Sequence, residues 1–216
     1  MGGDEIIATP LGERARAACS PCLIPTKSSR VKRALPPMSS TMAPLLPPIN
    51  LEKWIAENRD LLKPPVGNKK IWEDAHFDIF IVGGPNARKD YHINQSEEFF
   101  RMIEGDMILK VVEEGADGTH HFRDITIREG EIFLLPAGIP HCPQRAADTV
   151  GLVIEPPRPD GVEDALRWYC EGCGEVLHEE HFQLVDIVGQ LTRAIEAFWA
   201  DEEKRTCAHC GERLQE

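Results

Sequence analysis

Between Lys70 and Glu155 turn residues cut the chain into short apolar runs, and this punctuation narrows the available folds more than any other feature. Residues 77–82 end at Gly83-Gly84-Pro85, 107–112 at a loop holding Gly115 and Gly118, and 121–127 at Glu129-Gly130; residues 133–135 and 150–155 are two further runs. Many short β-forming stretches separated by turn chemistry predict an antiparallel sandwich or barrel. A helix is expected over 49–62, with Asn50 as N-cap and Pro64-Pro65 as its stop. A second is expected over 185–204, with Leu191, Ile195, Phe198 and Trp199 on its apolar face.

The chemistry gathers in two blocks inside the strand-rich region. Residues 88–105 read RKDYHINQSEEFFRMIEG and residues 130–145 read GEIFLLPAGIPHCPQR. They supply His92, Glu98 and His141, and Arg88 and Arg145 each stand four positions from a histidine. Two neutral imidazoles and a carboxylate are the facial set of non-haem Fe(II) sites that keep open coordination positions. Side chains two, four or six apart on a strand share a face, so His92 and Glu98 can converge if the chain turns near Gln95 and Ser96. His141 follows a turn made by Pro136 and Gly138, which suits the mouth of a barrel. Singly, each histidine reads as an ordinary polar residue and each arginine as surface charge; the joint register gives them a common purpose. Guanidinium groups beside the ligands point to an anionic organic substrate, which they would bind bidentately.

These blocks resemble the two motifs of the cupin superfamily. Asn86 stands where the first motif usually opens with glycine, His92, Glu98 and Gly105 fall in register, and Asn94 replaces a frequent second histidine. Gly130, Pro136, Gly138 and His141 follow the second motif, and Arg145 replaces its usual terminal asparagine. With PPVGNK, GLVIE and the terminal CxxC pairs, the combination is similar to the 3-hydroxyanthranilate 3,4-dioxygenases over about residues 42–216. The resemblance implies a mainly β, jelly-roll cupin barrel carrying a short helix-containing metal-binding appendage. It also implies ring opening of 3-hydroxyanthranilate by O2 to 2-amino-3-carboxymuconate semialdehyde, on the route to quinolinate and NAD. Carried over residue by residue, it makes His92, Glu98 and His141 the Fe(II) ligands and Arg88, Arg145, Glu98 and Glu155 the substrate contacts. Asn68 and Asp90 fall on the oxygen side, with Glu98 and Asp90 nearest the chemistry. The resemblance further suggests a homodimer located in the cytoplasm. Two rival readings are a catalytically silent cupin that binds a small carboxylate and a cupin isomerase or decarboxylase using another metal.

Two CxxC-G strings, Cys170/Cys173 before Gly174 and Cys207/Cys210 before Gly211, predict a closed four-thiolate site holding Zn or a second, rubredoxin-like Fe. Seven cysteines distributed in this way argue against a secreted disulfide framework. Cys142, next to His141, is expected to pack away from the metal. His178 and His181, lacking a third ligand, are expected at the surface.

Composition excludes several classes. A formal net charge of −12 is not the footprint of a nucleic-acid binder, and there is no apolar run of the roughly eighteen residues that a membrane helix needs. Residues 1–41 differ from the rest, with six basic against three acidic residues and no clear periodicity. They are expected to form a disordered leader, with Met42 as an alternative start favoured over a transit peptide and the Cys19/Cys22 pair incidental. Residues 42–157 are then the iron-bearing barrel and 158–216 the four-cysteine segment.

Overall fold

The computed structural model describes residues 45, 47–64, 67–73, 75–185 and 187–216, apart from the side chains of 187 and 188. The expected leader and its cysteine pair lie outside the described residues. Residues 48–216 form one compact unit.

Eleven strands occur in chain order among the described residues: β1 (Asn68–Lys70), β2 (Asp78–Gly83), β3 (Asp90–Ile93), β4 (Glu98–Glu104), β5 (Met107–Glu114), β6 (His120–Ile127), β7 (Ile132–Leu135), β8 (His141–Arg145), β9 (Val150–Glu155), β10 (Asp164–Tyr169) and β11 (Val176–Phe182). They make two antiparallel sheets, ordered β1-β2-β9-β4-β7 and β11-β10-β3-β8-β5-β6. This is the jelly-roll barrel expected of a cupin. Period-two alternation fills it: Phe100 and Met102 of β4 and Met107, Leu109 and Val111 of β5 point inward, while Arg101 and Ile108 point out. Truncating a buried ring such as Phe100 to alanine costs about 3–5 kcal/mol in cores of this kind. Gly105 closes the β4–β5 turn at φ +65, and a Cβ there would meet Thr149 Cγ2 at 2.9 Å. Glycine is therefore needed at this position for both conformation and space.

α1 (Leu51–Asn58) is capped as expected, with Asn50 Oδ1 accepting from Lys53 N, and it runs into a 3-10 turn at Arg59–Leu62. The C-terminal segment differs from expectation in one respect. Only a helix and two CxxC-G knuckles are expected there, yet β10 pairs with β3, setting Leu166 opposite His92, and β11 pairs with β10. These strands extend the second barrel sheet. The helix divides into α2 (Ile187–Ala200) and α3 (Glu202–Arg205), because Asp201 caps a new start by accepting from Glu203 N and Lys204 N. Leu191, Ala194 and Phe198 of α2 pack on Leu166 and Trp168, and the Phe198 and Trp168 rings stack with centroids 4.2 Å apart.

Candidate active site

His92, Glu98 and His141 come from three strands and both sheets. His92 closes on the site from β3 and His141 from β8, where they are cross-strand partners in one sheet. Glu98 opens β4 in the other sheet. The chain between His92 and Glu98 is therefore a corner, and the two side chains meet across the barrel rather than along one strand face. Asn94 builds the corner: its Oδ1 accepts from Ser96 N and Ser96 Oγ, and its backbone carbonyl accepts from Gly138 N at 2.7 Å. Gly138 sits at φ +77, so the turn before His141 depends on glycine's freedom there.

All three residues are buried, and one ligand atom from each lies within 4.8 Å of the others. His141 Nε2 is 2.7 Å from Glu98 Oε2, yet among the described residues that oxygen has no aligned hydrogen-bond partner, so the contact is a close approach of two candidate ligand atoms. The other nitrogen of His141, Nδ1, lies 3.0 Å from the Ile139 carbonyl. Burial disfavours the charged forms of all three. For His141 the facing Glu98 carboxylate outweighs burial and raises its pKa, and for Glu98 the imidazoles outweigh it and lower its pKa. At His92 burial prevails and the pKa is lowered. A buried carboxylate oxygen without a donor, gathered with two imidazoles, fits a divalent cation with ligand positions left over.

The cluster faces a cavity of about 380 Å³. Phe100 and Val153 of the core form part of its wall, and Leu191 and Ile195 bring α2 to it. Arg145, at the end of β8, lines the same space. It is 5% exposed; among the described residues its Nε has no partner and its Nη1 reaches only Met102 Sδ at 3.4 Å. Among the described residues no carboxylate pairs with it. Burial consequently pulls its pKa down to about 10, against the opposing pull of Glu98. An unpaired buried guanidinium is costly unless an anion comes to it.

A sequence model of the 3-hydroxyanthranilic acid dioxygenase family matches residues 44–199. The chain belongs to this family. Among curated 3-hydroxyanthranilate 3,4-dioxygenases, that of Yarrowia lipolytica is 57% identical over 166 residues, 76% of this chain and 94% of the relative. That of Ruegeria pomeroyi is 51% identical over 164 residues, 76% of this chain and 88% of the relative. A cupin-2 domain protein of Shewanella frigidimarina is 19% identical, with a TM-score of 0.37 over 48% of this chain and 92% of its own.

Within this dioxygenase family frame, the remaining predicted residues divide into those on the cavity and those behind it. Arg88, Asn68 and Glu155 line the cavity with His92, Glu98, His141 and Arg145. Asp90 does not reach it; its carboxylate accepts from Nε and Nη2 of Arg88 and ties that arginine down. Glu155 closes β9 at 1% exposure, with Oε2 accepting from Asn94 Nδ2 at 2.8 Å and Oε1 2.9 Å from Arg158 Nη1. Burial, and then the Glu98 charge, raise its pKa despite Arg158. Cys142 packs as expected, buried with Sγ 3.2 Å from the Arg88 carbonyl, and burial pushes its thiol up to about 12.

The second cluster is the four-cysteine one. Cys170 Sγ lies 3.5 Å from Cys210 Sγ, and Cys173 Sγ lies 3.6 Å from Cys207 Sγ. Four sulfurs about 2.3 Å from a central Zn have tetrahedral edges of about 3.8 Å, and these two edges fall slightly inside that length. The two knuckles repeat each other: Gly174 N donates to the Cys170 carbonyl and Gly211 N to the Cys207 carbonyl, both at 2.9 Å. Both glycines sit at φ +78. The backbone N–H groups of Cys210 and His209 lower the Cys207 pKa and favour its thiolate.

Arg158 and Asp164 join the site although no motif marks them. Arg158 donates through Nε and Nη2 to Asp164, and Asp164 Oδ2 is 2.8 Å from His92 Nε2. In the sequence they are two charged residues in a proline-containing loop, and nothing there shows that both are buried. The only available signal was the mutual need of an acid and a base six positions apart.

Proposed function

We propose that this chain is an Fe(II)-dependent, ring-cleaving 3-hydroxyanthranilate 3,4-dioxygenase, with His92, Glu98 and His141 holding the iron. The observation that carries the substrate side is Arg145, a buried cation without a carboxylate partner on the wall that also bears the ligand cluster. When bound, Fe(II) would supply Lewis acidity and positions for substrate and O2 side by side. The protein's part is orientation and exclusion of water. Arg145 binds the ring carboxylate from within the barrel and Arg88, steadied by Asp90, binds it from the rim. Glu155, held by Asn94 and Arg158, accepts a hydrogen bond from the amino or hydroxyl group. Its raised pKa suits it to hold a proton at that position near neutrality. Asn68 lies on the oxygen side. Phe100, Val153 and the α2 residues keep the ring in an apolar slot. The C–C bond between C3 and C4 breaks, and both oxygen atoms end in 2-amino-3-carboxymuconate semialdehyde.

The four thiolates would hold Fe or Zn as a structural centre, since four protein ligands leave no position for substrate. We also infer a homodimer, supported by Ile132 and Leu134, which stand 65% and 54% exposed on the edge strand β7. A cytoplasmic location accords with reduced thiolates; among the described residues no helix is long and apolar enough to cross a membrane.

The test is oxygen consumption by Fe(II)-loaded protein on addition of 3-hydroxyanthranilate, with ring opening followed by absorbance. Equimolar uptake with a new chromophore is expected. Iron bound at the histidine site with no uptake would overturn the reading in favour of a carboxylate-binding cupin.

A further inference from the structure

The two histidines of the cluster are anchored by different means. His141 has Nδ1 3.0 Å from a backbone carbonyl, that of Ile139. His92 has Nε2 2.8 Å from a side-chain oxygen, Asp164 Oδ2. Asp164 is fully buried at the head of β10, the strand whose Leu166 stands opposite His92 in the ladder. It is itself fixed: Arg158 donates to Oδ1 through Nε at 3.1 Å and to Oδ2 through Nη2 at 2.8 Å. The third arm of the same guanidinium, Nη1, is 2.9 Å from Glu155 Oε1, an ion-pair contact without the alignment of a hydrogen bond. Removing one member of a buried charge group leaves its partner uncompensated, and here the partners form one line: Glu155, Arg158, Asp164, His92.

We propose that Asp164, held by Arg158, is the positioning residue for His92, and that the Arg158 bridge joins the substrate wall at Glu155 to the metal ligand. This rests on the reading of His92 as an iron ligand. An imidazole whose Nε2–H is given to a carboxylate keeps its Nδ1 lone pair for a cation, and its ring cannot swing about χ2 without losing that bond. The carboxylate also makes the ring a stronger donor to the metal. His141 needs no such partner, because a rigid backbone carbonyl performs the same task. The arrangement also gives β10, a strand outside both metal-ligand blocks, a direct part in the site.

The test is Fe(II) affinity of the histidine site, measured by chelator competition on the full chain, together with the electron paramagnetic resonance signal of the ferrous protein treated with nitric oxide. Asp164→Ala is expected to weaken Fe(II) binding by roughly 10- to 100-fold, the usual loss for such an outer partner, and to alter the signal. The metal content of the four-cysteine centre is expected to stay unchanged. If the alanine variant does not fold, Asp164→Asn, which keeps the volume, is expected to weaken binding by about tenfold and Arg158→Gln by less. A folded Asp164 variant with parental affinity and signal would overturn the proposal, even with a lowered melting temperature, since that result marks a purely structural acid. His141→Ala separates the two levels of failure. If it binds Fe(II) as the parent does, iron is not at this site, and both the reading and the inference fall.

Discussion

The two ligand clusters of this chain solve opposite problems. The cysteine cluster is built from two nearly identical turns, each a CxxC-G knuckle fixed by its own glycine and backbone hydrogen bonds. Its cysteines alternate between buried and exposed, and four of them would close the coordination of a metal. The histidine cluster uses three buried ligands from three strands of two sheets, with an arginine-lined cavity beside it. A closed site would need only local geometry, because a bound metal would complete the fold of the segment. An open site must keep its vacant positions while no ligand fills them, so its residues have to be held from behind. Hence the anchoring of His92, His141 and Arg88 by Asp164, the Ile139 carbonyl and Asp90.

That contrast predicts that the clusters can be broken separately. The largest effect is expected from His141→Ala: iron at the histidine site and oxygen uptake fall to background while the four-cysteine centre keeps its metal, as elemental analysis alongside activity would show. Joint loss of both metals would break the comparison. Arg145→Ala is expected to weaken substrate binding by about 10- to 100-fold, the range for a lost hydrogen bond to a charged group, with iron content unchanged by elemental analysis. Substrate titration giving the parental Kd would remove Arg145 from the clamp. Cys173→Ala is the converse experiment: one metal equivalent is lost and the melting temperature drops by several degrees, on the order of 2 kcal/mol for a domain of this size, while the histidine site still binds Fe(II). The smallest effect concerns pH. Burial and the Glu98 charge raise the Glu155 pKa, so its protonated form suits the folded state. Its contribution to stability is complete below the ordinary carboxylate range and is lost as pH rises through its higher folded value. Melts of chelator-treated protein should therefore show stability declining from about pH 5 toward neutrality by on the order of 1 kcal/mol, and Glu155→Gln should flatten that slope.

Several strands flanking the ligand residues were legible because each bears its own signal, whereas the corner that parts His92 from Glu98 was not. Phe133 to Leu135 is an apolar run, Pro136 and Gly138 are turn chemistry, and residues 150–155 read as a strand and form β9. The cysteine knuckles were legible for the same local reason. What escaped the sequence was long-range. β10 and β11 lie in a segment whose prolines and cysteines suggested an appendage, and only pairing with β3 explains them. Val176–Phe182 holds four charged or histidine side chains among seven residues, so neither alternation nor β-propensity marks it as a strand. Arg158 and Asp164 were illegible because burial of a charge depends on the partner that arrives from elsewhere. The helix expected over 185–204 ends early for a local reason that could have been read: Asp201 before two glutamates is an N-cap signal.

Only four residues, Asn94 to Glu97, separate the last residue of β3 from the first of β4, and those strands belong to different sheets. The ligand triangle is thus a gauge of the gap between the sheets. Phe100 and Met102, two and four positions beyond Glu98 on the same inward face, set that gap. A methylene removed from the filling between the sheets changes the spacing of the ligand atoms before it unfolds anything. Iron affinity should accordingly register faults in the hydrophobic core that melting curves are too coarse to resolve.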